Sequence, residues 1–384
     1  MSVARAIVVG AGPVGLAFAC ACRGIEVVVV DPAPAPAAAP LGGFESRIYA
    51  LSPGSRSFLR DIGAWEHLDT ARVAPVRRME IFGDAGGRLT FSGRAGTPLA
   101  WILEAGRLTA ALEAQAAGSP GVEVLRGVHA ESFGATADGA CVVLADGRRL
   151  EGDVLVGADG ADSRVRALLG LGADERAYEE EALVANFSTE APHGDTARQW
   201  FAASGVLAWL PLPGRNISIV WSARGDAAAE LAGLDDRAFE RRVRDAGGSA
   251  LGDLALASPR LRFPLRLISV ERTVAPGVAL IGDAAHAVHP LAGQGANLGL
   301  QDARVLSEEI LGRSPVERPG DMRVLRRYAR GRREDVTAMQ FVTDRLDALF
   351  ASGRPFVGDL RNAGLGMVQS QPWIKGLLRD RAMR

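Results

Sequence analysis

A glycine-rich turn near the N-terminus constrains the fold of this chain more than any other feature of the sequence. The apolar segment Ala6–Val9 leads into Gly10-Ala-Gly12-Pro-Val-Gly15, and after a stretch with helical character the apolar segment Ile25–Val30 ends at Asp31. A strand, a glycine-rich turn, a helix and a second strand that ends in an acid are typical of a βαβ dinucleotide-binding unit. We therefore predict an α/β protein with a Rossmann-like domain at its N-terminus.

Each glycine of this turn has its own task in such a unit. Gly10 permits the tight turn, Gly12 lets the backbone approach a pyrophosphate, and Gly15 lets the helix pack closely on the sheet. The N-terminus of the helix offers N–H groups and a partial positive charge to the phosphates. Asp31 accepts hydrogen bonds from ribose hydroxyls and would repel a 2′-phosphate. The unit predicts a bound dinucleotide and leaves FAD and NAD as alternatives.

The middle of the chain is predicted to be rich in strands. Ser52-Pro53 favours a helix that begins there, with the serine as its cap, and that extends to Trp65. The segments Val206–Leu210 and Ile217–Ser222 bracket a Pro-Gly-Arg-Asn turn, and this pattern predicts an antiparallel hairpin. A second hairpin is predicted around the glycines that follow residue 82.

Two later segments resemble a known family and specify the cofactor. Val154–Arg166 has a strand, an Asp-Gly turn and the start of a basic helix; Gly277–Ala303 has a strand ending in Gly-Asp, a His-Pro loop and a glycine-rich turn into a helix. In this order, and together with the first turn, they resemble the three fingerprints of the single-component FAD-dependent aromatic hydroxylases, the group that includes p-hydroxybenzoate hydroxylase. The resemblance covers nearly the whole chain and implies FAD as the cofactor.

A narrower resemblance concerns the ubiquinone-biosynthesis hydroxylases of the UbiH/UbiF/VisC type. It is carried by His289–Asp302, Ser46–Trp65 and Arg354–Leu378. It implies an FAD-dependent monooxygenase that hydroxylates the ring of a polyprenyl phenol through a C4a-hydroperoxyflavin, with NAD(P)H or another electron donor and O2 as co-substrates. The alternatives are a hydroxylase of another aromatic or polyketide metabolite, and a non-catalytic FAD-binding subunit of a quinone-biosynthesis complex.

The resemblance also implies the architecture. We expect a three-layer, Rossmann-like FAD-binding domain, an inserted antiparallel-sheet domain that binds the substrate, and a helical C-terminus. The FAD-binding domain is predicted to comprise residues 1–70, 101–177 and 271–384, with 354–384 as a helical tail, and the substrate domain residues 71–100 and 178–270.

A set of cofactor contacts follows from the resemblance. Asp283 would hold the ribityl hydroxyls, and Asp159 and Arg164 would lie near the pyrophosphate. Arg47 would lie near the flavin or its phosphates, and the backbone of residues 293–297 would face the flavin pyrimidine edge. The predicted set is Gly10, Gly12, Gly15, Asp31, Arg47, Arg107, Asp159, Gly160, Arg164, Gly282, Asp283, Pro290, Gly293, Gln294, Gly295, Ala296 and Asn297.

Arg107 belongs to a segment that departs from the family pattern. The family usually shows Glu-Asn-Arg, whereas Glu104-Ala105-Gly106 precedes Arg107 in this chain. The flavin contact of Arg107 is therefore predicted from a segment in which the asparagine is missing.

Four further residues are predicted near the reacting groups. Pro290 would stiffen the loop beside the flavin, and His289 would either transfer protons or only shape that loop; these two are the predicted catalytic residues. Trp209 and Trp221 are predicted to belong to the core or to the wall of the substrate pocket, with specific stacking on the substrate as the alternative.

Composition and charge exclude several other classes. The 44 basic and 45 acidic residues balance, which argues against a nucleic-acid-binding protein. Lys375 is the single lysine, so Schiff-base, pyridoxal phosphate and P-loop chemistry are excluded, and a flavin halogenase is disfavoured. Cys20, Cys22 and Cys141 are too few for a disulfide framework and are predicted to be small buried side chains. No metal site is predicted.

The termini bear on location and partners. The N-terminus lacks a signal-peptide pattern and no run of about 18 apolar residues occurs, so we expect a cytoplasmic protein. Residues 354–384 carry six basic and two acidic side chains interleaved with apolar ones. This pattern predicts either packing on the core or a peripheral contact with the inner membrane or a biosynthetic complex. The substrate partner would be a lipophilic phenol, and the oligomeric state is left open.

Overall fold

The computed structural model describes residues 3–35, 42–84, 86–93, 96–202, 205–287 and 294–351. The predicted site residues His289, Pro290 and Gly293, and the segment 354–384, lie outside the described residues. The described part is a mixed α/β structure with a six-stranded sheet, a nine-stranded sheet and two three-stranded sheets.

The secondary structure follows the chain in this order. The α-helices of the described part are α1 Pro13–Ala21, α2 Pro53–Asp61, α3 Ala105–Ala117, α4 Arg164–Leu168, α5 Gly225–Gly233, α6 Asp236–Ala246, α7 Gln294–Leu311 and α8 Met322–Ala351. Short 3-10 turns cover Trp65–His67, Thr70–Arg72 and Gly282–Ala284. The strands are β1 Arg5–Val9, β2 Glu26–Asp31, β3 Ile48–Leu51, β4 Ala74–Val76, β5 Arg78–Phe82, β6 Arg88–Ser92, β7 Ala100–Glu104, β8 Val122–Arg126, β9 Ala130–Thr136, β10 Gly139–Leu144, β11 Arg149–Gly152, β12 Val154–Gly157, β13 Ala173–Thr189, β14 Thr196–Ala202, β15 Gly205–Leu212, β16 Asn216–Arg224, β17 Leu254–Leu256, β18 Leu261–Val270, β19 Val274–Ala275, β20 Val278–Leu280 and β21 His286–Ala287.

The six-stranded sheet is the centre of the predicted Rossmann-like domain. Its order is β19-β20-β12-β1-β2-β8, and every neighbouring pair except β19–β20 is parallel. Ala6 and Val8 of β1 pack toward the helices, whereas Ile7 and Val9 pack toward the β9–β11 sheet. Covered on both faces, such strands are apolar at consecutive positions. The predicted βαβ unit and three-layer arrangement are confirmed.

The nine-stranded sheet is built mainly from the middle of the chain. Its order is β21-β18-β13-β16-β15-β14-β5-β6, with β17 also pairing with β13. The predicted β5–β6 and β15–β16 hairpins are confirmed. Helices α5 and α6, which the sequence analysis did not predict, cover one face. Because β13 begins at Ala173 and β21 lies at His286–Ala287, this sheet also draws on residues outside 71–100 and 178–270; the domain boundaries stay a prediction.

Helix α2 begins as predicted and ends earlier than predicted. The Ser52 hydroxyl accepts a hydrogen bond from the N–H of Ser55, and Pro53 takes the first helical position. The helix ends at Asp61 because Gly63 adopts a left-handed conformation with φ +85°. A glycine in this conformation lets the last turn close on itself, so the residues up to Trp65 do not continue the helix.

Helices α7 and α8 cover the parallel sheet on the side of α1. Leu300, Leu306 and Tyr328 belong to the core between them and the sheet. The Tyr328 hydroxyl donates to the carbonyl oxygen of Leu280 at 2.8 Å, which ties α8 to the end of β20. None of the helices in the described ranges combines the length and the apolar character required to span a bilayer.

We expect the thiols of Cys20 and Cys22 to be unreactive in the folded protein. Both are buried as predicted, and burial raises the pKa of Cys20 to about 12 and raises the pKa of Cys22 as well. Because the thiolate is the reactive form, modification at pH 8 should be slower than in the unfolded chain by roughly a thousandfold or more. Titration with a chromogenic disulfide measures this, and the half-buried Cys141 is the internal comparison. Equal native rates for all three thiols would contradict the placement.

Candidate cofactor site

The carboxyl ends of four adjacent parallel strands bring the glycine-rich motifs together. The strands lie side by side in the order β20-β12-β1-β2. In open parallel sheets, ligands bind outside these ends, where the connections to the helices leave a crevice. The residues at or directly after the four ends are Ile281, Ala158, Gly10 and Asp31.

The three glycines of the first turn have different surroundings. Gly10 has φ +107°, and a Cβ there would lie 2.3 Å from the carbonyl oxygen of Ala158. A Cβ on Gly15 would lie 2.0 Å from the carbonyl oxygen of Gly10. A Cβ on Gly12, at the start of α1, would meet no heavy atom within 4 Å beyond its chain neighbours. Packing of the protein on itself therefore requires Gly10 and Gly15, whereas Gly12 faces space that a phosphate can occupy.

Asp31 braces this turn from the end of β2. Its two carboxylate oxygens accept hydrogen bonds from the N–H of Ala11 at 2.6 Å and of Ala33 at 2.7 Å. Arg126, at the end of β8, donates to the carbonyl oxygen of Ala11 at 2.9 Å and lies 3.6 Å from the Asp31 carboxylate. A carboxylate accepts about four hydrogen bonds, so Asp31 retains capacity for ribose hydroxyls. Arg126 was not predicted as a site residue. Its position at the end of β8, the strand beside β2, is the feature that could have indicated it.

Asp159 and Arg164 make local contacts. Asp159 accepts from the Ser163 hydroxyl at 2.5 Å and from the N–H of Val165 at 3.1 Å, so it caps α4. Arg164 donates to the carbonyl oxygen of Ala130 at 2.8 Å, on β9. The guanidinium of Arg164 is thus bonded to the β9–β11 layer, and its place near the pyrophosphate stays a prediction.

Arg166 is the arginine of this segment that reaches the neighbouring motif. It is buried and donates to the carbonyl oxygen of Ala284 at 3.1 Å and to Glu175 at 2.8 Å. It therefore joins the segment after β12 to the turn after β20. Arg164 and Arg166 are two positions apart, and only the direction of α4 decides which of them faces this turn.

The turn after β20 packs tightly on two helices. Gly282 has φ +62°, a conformation that favours glycine, and a Cβ there would lie 3.3 Å from Val14 of α1. A Cβ on Gly299 of α7 would lie 2.6 Å from the same valine. These close approaches set the position of Asp283, the next residue.

Asp283 interacts electrostatically with Arg47 and with Tyr49. It is exposed to solvent, yet partial desolvation by the surrounding protein raises its pKa, and His286 and Arg47 offset part of the rise. Burial raises the pKa of Tyr49, and Asp283 adds to the effect. The Arg47 guanidinium lies 5.7 Å from the centre of the Tyr49 ring. A carboxylate, an arginine and a phenol near each other suit the hydroxyls and phosphates of a dinucleotide.

The start of α7 lies against β3. Asn297 accepts from the N–H of Ser52 at 2.8 Å and donates to the carbonyl oxygen of Ala50 at 2.8 Å. Gln294, Gly295 and Ala296 form the first helical turn, where N–H groups have no acceptor within the helix. The Asn297 side chain thus holds the helix start in place, and the backbone of the first turn is the part suited to the predicted flavin contact.

Arg107 lies beside a buried carboxylate. Its Nε donates to Glu104 at 2.8 Å, and Glu104 also accepts from Arg72 at 2.7 and 3.0 Å and from the N–H of Glu45 at 3.0 Å. A Cβ on Gly106 would lie 2.5 Å from the Glu45 carboxylate, which accepts the N–H of Gly106 at 2.9 Å. Glu45 therefore occupies the space beside the position where the family pattern has asparagine.

Trp209 and Trp221 lie in the hydrophobic core. They are 1% and 6% exposed and pack on the face of the large sheet that α5 and α6 cover. Strand alternation places their neighbours Ala208 and Val220 on the other face. Both rings thus lie in the core, which is one of the two placements predicted for them.

The other face of the large sheet looks toward the candidate site. Asn186, on this face, donates to the carbonyl oxygen of Phe44 at 3.0 Å, in the segment that leads to Arg47. Strand β21, which begins three residues after Asp283, pairs with β18 at the edge of the sheet. One cross-strand row of this face is apolar and half-buried, and it consists of Val184, Ala208 and Val220.

A cavity of about 820 Å³ lies elsewhere, beside α5, α6 and the interruption between β17 and β18. Its polar walls bond to each other or to nearby backbone: Arg260 donates to Asp236 and to the carbonyl oxygen of Leu234, and Arg262 pairs with Glu181. Two of its wall residues, Ser258 and Pro259, are hydrogen-bonded to Ser46, in the segment that leads to Arg47. Among the described side chains, no group of three or more His, Cys, Asp and Glu residues is arranged to hold a metal ion.

The fold and the site together define the class. The open space at Gly12, the acid at the end of β2 and the solvent-facing Asp283 beside Arg47 fit a dinucleotide with a pyrophosphate and two polyhydroxyl parts. FAD and NAD both have these groups, so the geometry defines a dinucleotide-binding protein whose Rossmann-like domain is partnered by an antiparallel sheet. Residues 3–341 match a family described as FAD binding domain. The chain belongs to this family of FAD-dependent monooxygenases, as the resemblance in the sequence implied.

Individual relatives agree with this assignment. The chain is 32% identical to the ubiquinone hydroxylase UbiL of Rhodospirillum rubrum, over 99% of this chain and 90% of the relative. It is 30% identical to the 3-demethoxyubiquinol 3-hydroxylase of Escherichia coli, over 88% of this chain and 86% of the relative. In structure it is similar to PqsL of Pseudomonas aeruginosa, with a TM-score of 0.78 and 24% identity over 95% of this chain and 99% of PqsL. At this identity the structural likeness shows the fold alone.

Proposed function

We propose that this protein hydroxylates the aromatic ring of a polyprenyl phenol intermediate in ubiquinone biosynthesis. The observation that carries the proposal is the similarity over 99% of the chain to a protein named ubiquinone hydroxylase. When bound, FAD supplies the redox chemistry that activates dioxygen and delivers one oxygen atom to the ring. The residues of the chain bind the cofactor, orient the phenol and keep water from the reacting groups.

The large sheet offers a surface suited to a lipophilic phenol. Val184, Ala208 and Val220 form an apolar row on the face opposite α5 and α6. The same face meets the segment that carries Arg47, as the contact between Asn186 and Phe44 shows. An apolar surface beside the cofactor site supports a substrate whose ring and tail are both lipophilic.

The electron donor and the surroundings of the enzyme are further parts of the proposal. NAD(P)H is the proposed donor, and a dedicated protein reductant is the alternative that the experiment below separates. The segment 354–384, with six basic and two acidic residues, supports a peripheral contact with an anionic membrane or a biosynthetic complex. Such a contact would bring the enzyme to a substrate that partitions into lipid.

The test is anaerobic reduction of the FAD-reconstituted protein, followed by turnover in ¹⁸O-labelled dioxygen. We expect a short-chain prenylphenol to accelerate bleaching of the flavin by NADH or NADPH, and the product to contain one labelled oxygen. Tail-free 4-hydroxybenzoate is the control substrate and should have little effect. Flavin that neither nucleotide bleaches would instead indicate a protein reductant or a non-catalytic role.

The apolar row provides a variant for the same assay. We expect Val220→Thr to raise the KM for the prenylphenol by about three- to tenfold, because a half-buried hydroxyl without a partner weakens an apolar contact. FAD affinity should stay at the wild-type value. An unchanged KM, or hydroxylation of tail-free phenols in preference to prenylated ones, would contradict the proposed substrate and its surface.

A further inference from the structure

One carboxylate in the middle of α7 bonds to groups from three other parts of the chain. Asp302 is fully buried. Its Oδ2 accepts from the N–H of Gly282 at 2.9 Å and lies 2.7 Å from Nε2 of His286, and its Oδ1 accepts from Nε of Arg332 at 2.7 Å. We refer to Asp302, His286, Arg332 and the Gly282 N–H as the Asp302 cluster. Asp302 is the last residue of the motif His289–Asp302, and the sequence pattern did not indicate a role for it.

The charge state of the cluster follows from its contacts. Burial raises the pKa of Asp302, and the charges and hydrogen bonds of His286 and Arg332 lower it by more, so the carboxylate is ionised. An ionised carboxylate only accepts hydrogen bonds, so Nε2 of His286 carries a proton that points to Asp302. Arg332, on α8, supplies the positive charge that an isolated buried carboxylate would lack.

The two donors on Oδ2 flank Asp283. Gly282 precedes Asp283 directly, and His286 follows it by three residues as the start of β21. A single oxygen atom of Asp302 thus binds both ends of the short segment that presents Asp283 to the site.

We propose that Asp302 is a positioning residue for FAD binding, because it holds the Gly282–His286 segment so that Asp283 faces the cofactor. Arg332 has a different task in the same cluster, which is to neutralise the buried charge. The inference rests on FAD binding by this family and is independent of the proposed phenol substrate.

Two single substitutions separate positioning from simple stabilisation. Asp302→Leu removes the acceptor oxygen that the Gly282 N–H and His286 share, and should weaken FAD binding by about tenfold or more. Arg332→Met leaves both donors on the carboxylate, so FAD affinity should remain within about threefold of wild type. Both should lower the thermal stability of the apoprotein, since each leaves an uncompensated buried charge. Flavin fluorescence titration at pH 8 measures the affinity, and the melting temperature measures the stability.

The double variant keeps the test decisive if Asp302→Leu folds poorly. Asp302→Leu with Arg332→Met removes both charges and should recover much of the apoprotein stability, yet FAD affinity should stay low because neither end of the segment has its acceptor. The visible circular dichroism of the bound flavin should change in both variants that lack the carboxylate. Wild-type FAD affinity in the double variant would overturn the proposal, and so would equal loss of affinity in Arg332→Met.

A remote buried carboxylate serves as the matched control. Glu80 of β5 is buried and pairs with Arg78, Arg88 and Arg198 in the large sheet, away from the strand ends. Glu80→Gln should lower stability without changing FAD affinity. If Glu80→Gln weakened FAD binding as much as Asp302→Leu, general destabilisation would explain the result and the positioning role would be rejected. Failure of phenol hydroxylation, by contrast, would affect only the proposed function.

Discussion

Replacing Gly12 with alanine is expected to weaken FAD binding by about 10- to 100-fold and to leave the apoprotein as stable as the wild type. Gly12 has an ordinary φ of −73°, and a Cβ there meets no heavy atom within 4 Å beyond its chain neighbours. The protein alone therefore tolerates the methyl group. The phosphates of a bound dinucleotide would occupy that space, so the methyl group must displace the ligand.

Gly15→Ala is the matched control for this variant. A Cβ on Gly15 would lie 2.0 Å from the carbonyl oxygen of Gly10, so the turn or α1 must shift even without ligand. We expect Gly15→Ala to lower the melting temperature of the apoprotein. Gly12→Ala should leave that melting temperature unchanged. Isothermal titration with FAD and melting of the apoprotein give both quantities. Normal FAD affinity in Gly12→Ala would show that the pyrophosphate does not approach at this position.

Removing the charge of Glu104 is expected to lower the free energy of unfolding by about 3–5 kcal/mol. Glu104 is fully buried and accepts hydrogen bonds from Arg72, Arg107 and the N–H of Glu45. Glu104→Gln keeps the volume and leaves the two guanidinium groups without their counter-charge. Urea denaturation followed by tryptophan fluorescence measures the loss. Glu181→Gln, which breaks the exposed pair with Arg262, should cost less than about 1 kcal/mol.

Glu104 also makes the free energy of unfolding depend on pH. Burial raises the pKa of Glu104, but Arg72, Arg107 and the backbone of Glu45 lower it by more, so the folded value lies below the ordinary 4.5. The stabilisation is therefore complete above about pH 4.5 and is lost as the pH falls through the lower folded value. The stability difference between wild type and Glu104→Gln should narrow in that acidic range. A difference that stays constant down to the acid transition would contradict the ion pairing.

Glu104 connects stability with the cofactor site. Glu104 accepts a hydrogen bond from the N–H of Glu45. Asn186 of the large sheet donates hydrogen bonds to the carbonyl oxygens of Phe44 and Glu45. The segment that leads to Arg47 is therefore fixed by both the small sheet and the large sheet. Glu104→Gln should for this reason also reduce FAD affinity, by less than the Gly12 variant does.

The parts of this protein that could be predicted from sequence depend on neighbouring residues. The βαβ unit, its glycines and Asp31 could be identified because a tight turn and a helix start each need particular residue types within a few positions. The Ser52 cap and the hairpin between β15 and β16 were predicted for the same reason. The family resemblance extended this to FAD, since its motifs are also short and ordered along the chain.

The parts that could not be predicted depend on which faces meet in space. From the sequence, Trp209 could belong to the core or to the wall of the substrate pocket. The packing of α5 and α6 on its side of the sheet places it in the core. Arg164 and Arg166 differ by two positions, and the direction of α4 gives the contact with the turn after β20 to Arg166. Asp302 was an unremarkable acid at the end of a motif.

The sequence by itself determined the dinucleotide-binding unit, because backbone conformation at glycine, proline and capping residues is a local property. The resemblance carried by its ordered motifs implied FAD and the family. Only the tertiary structure decided which charges meet. The paired residues Asp302 and Arg332 are 30 positions apart in the sequence, and the paired residues Glu104 and Arg72 are 32 positions apart. Their pairing depends on how helices and sheets pack, and packing is decided by burial over the whole chain, which no short segment records.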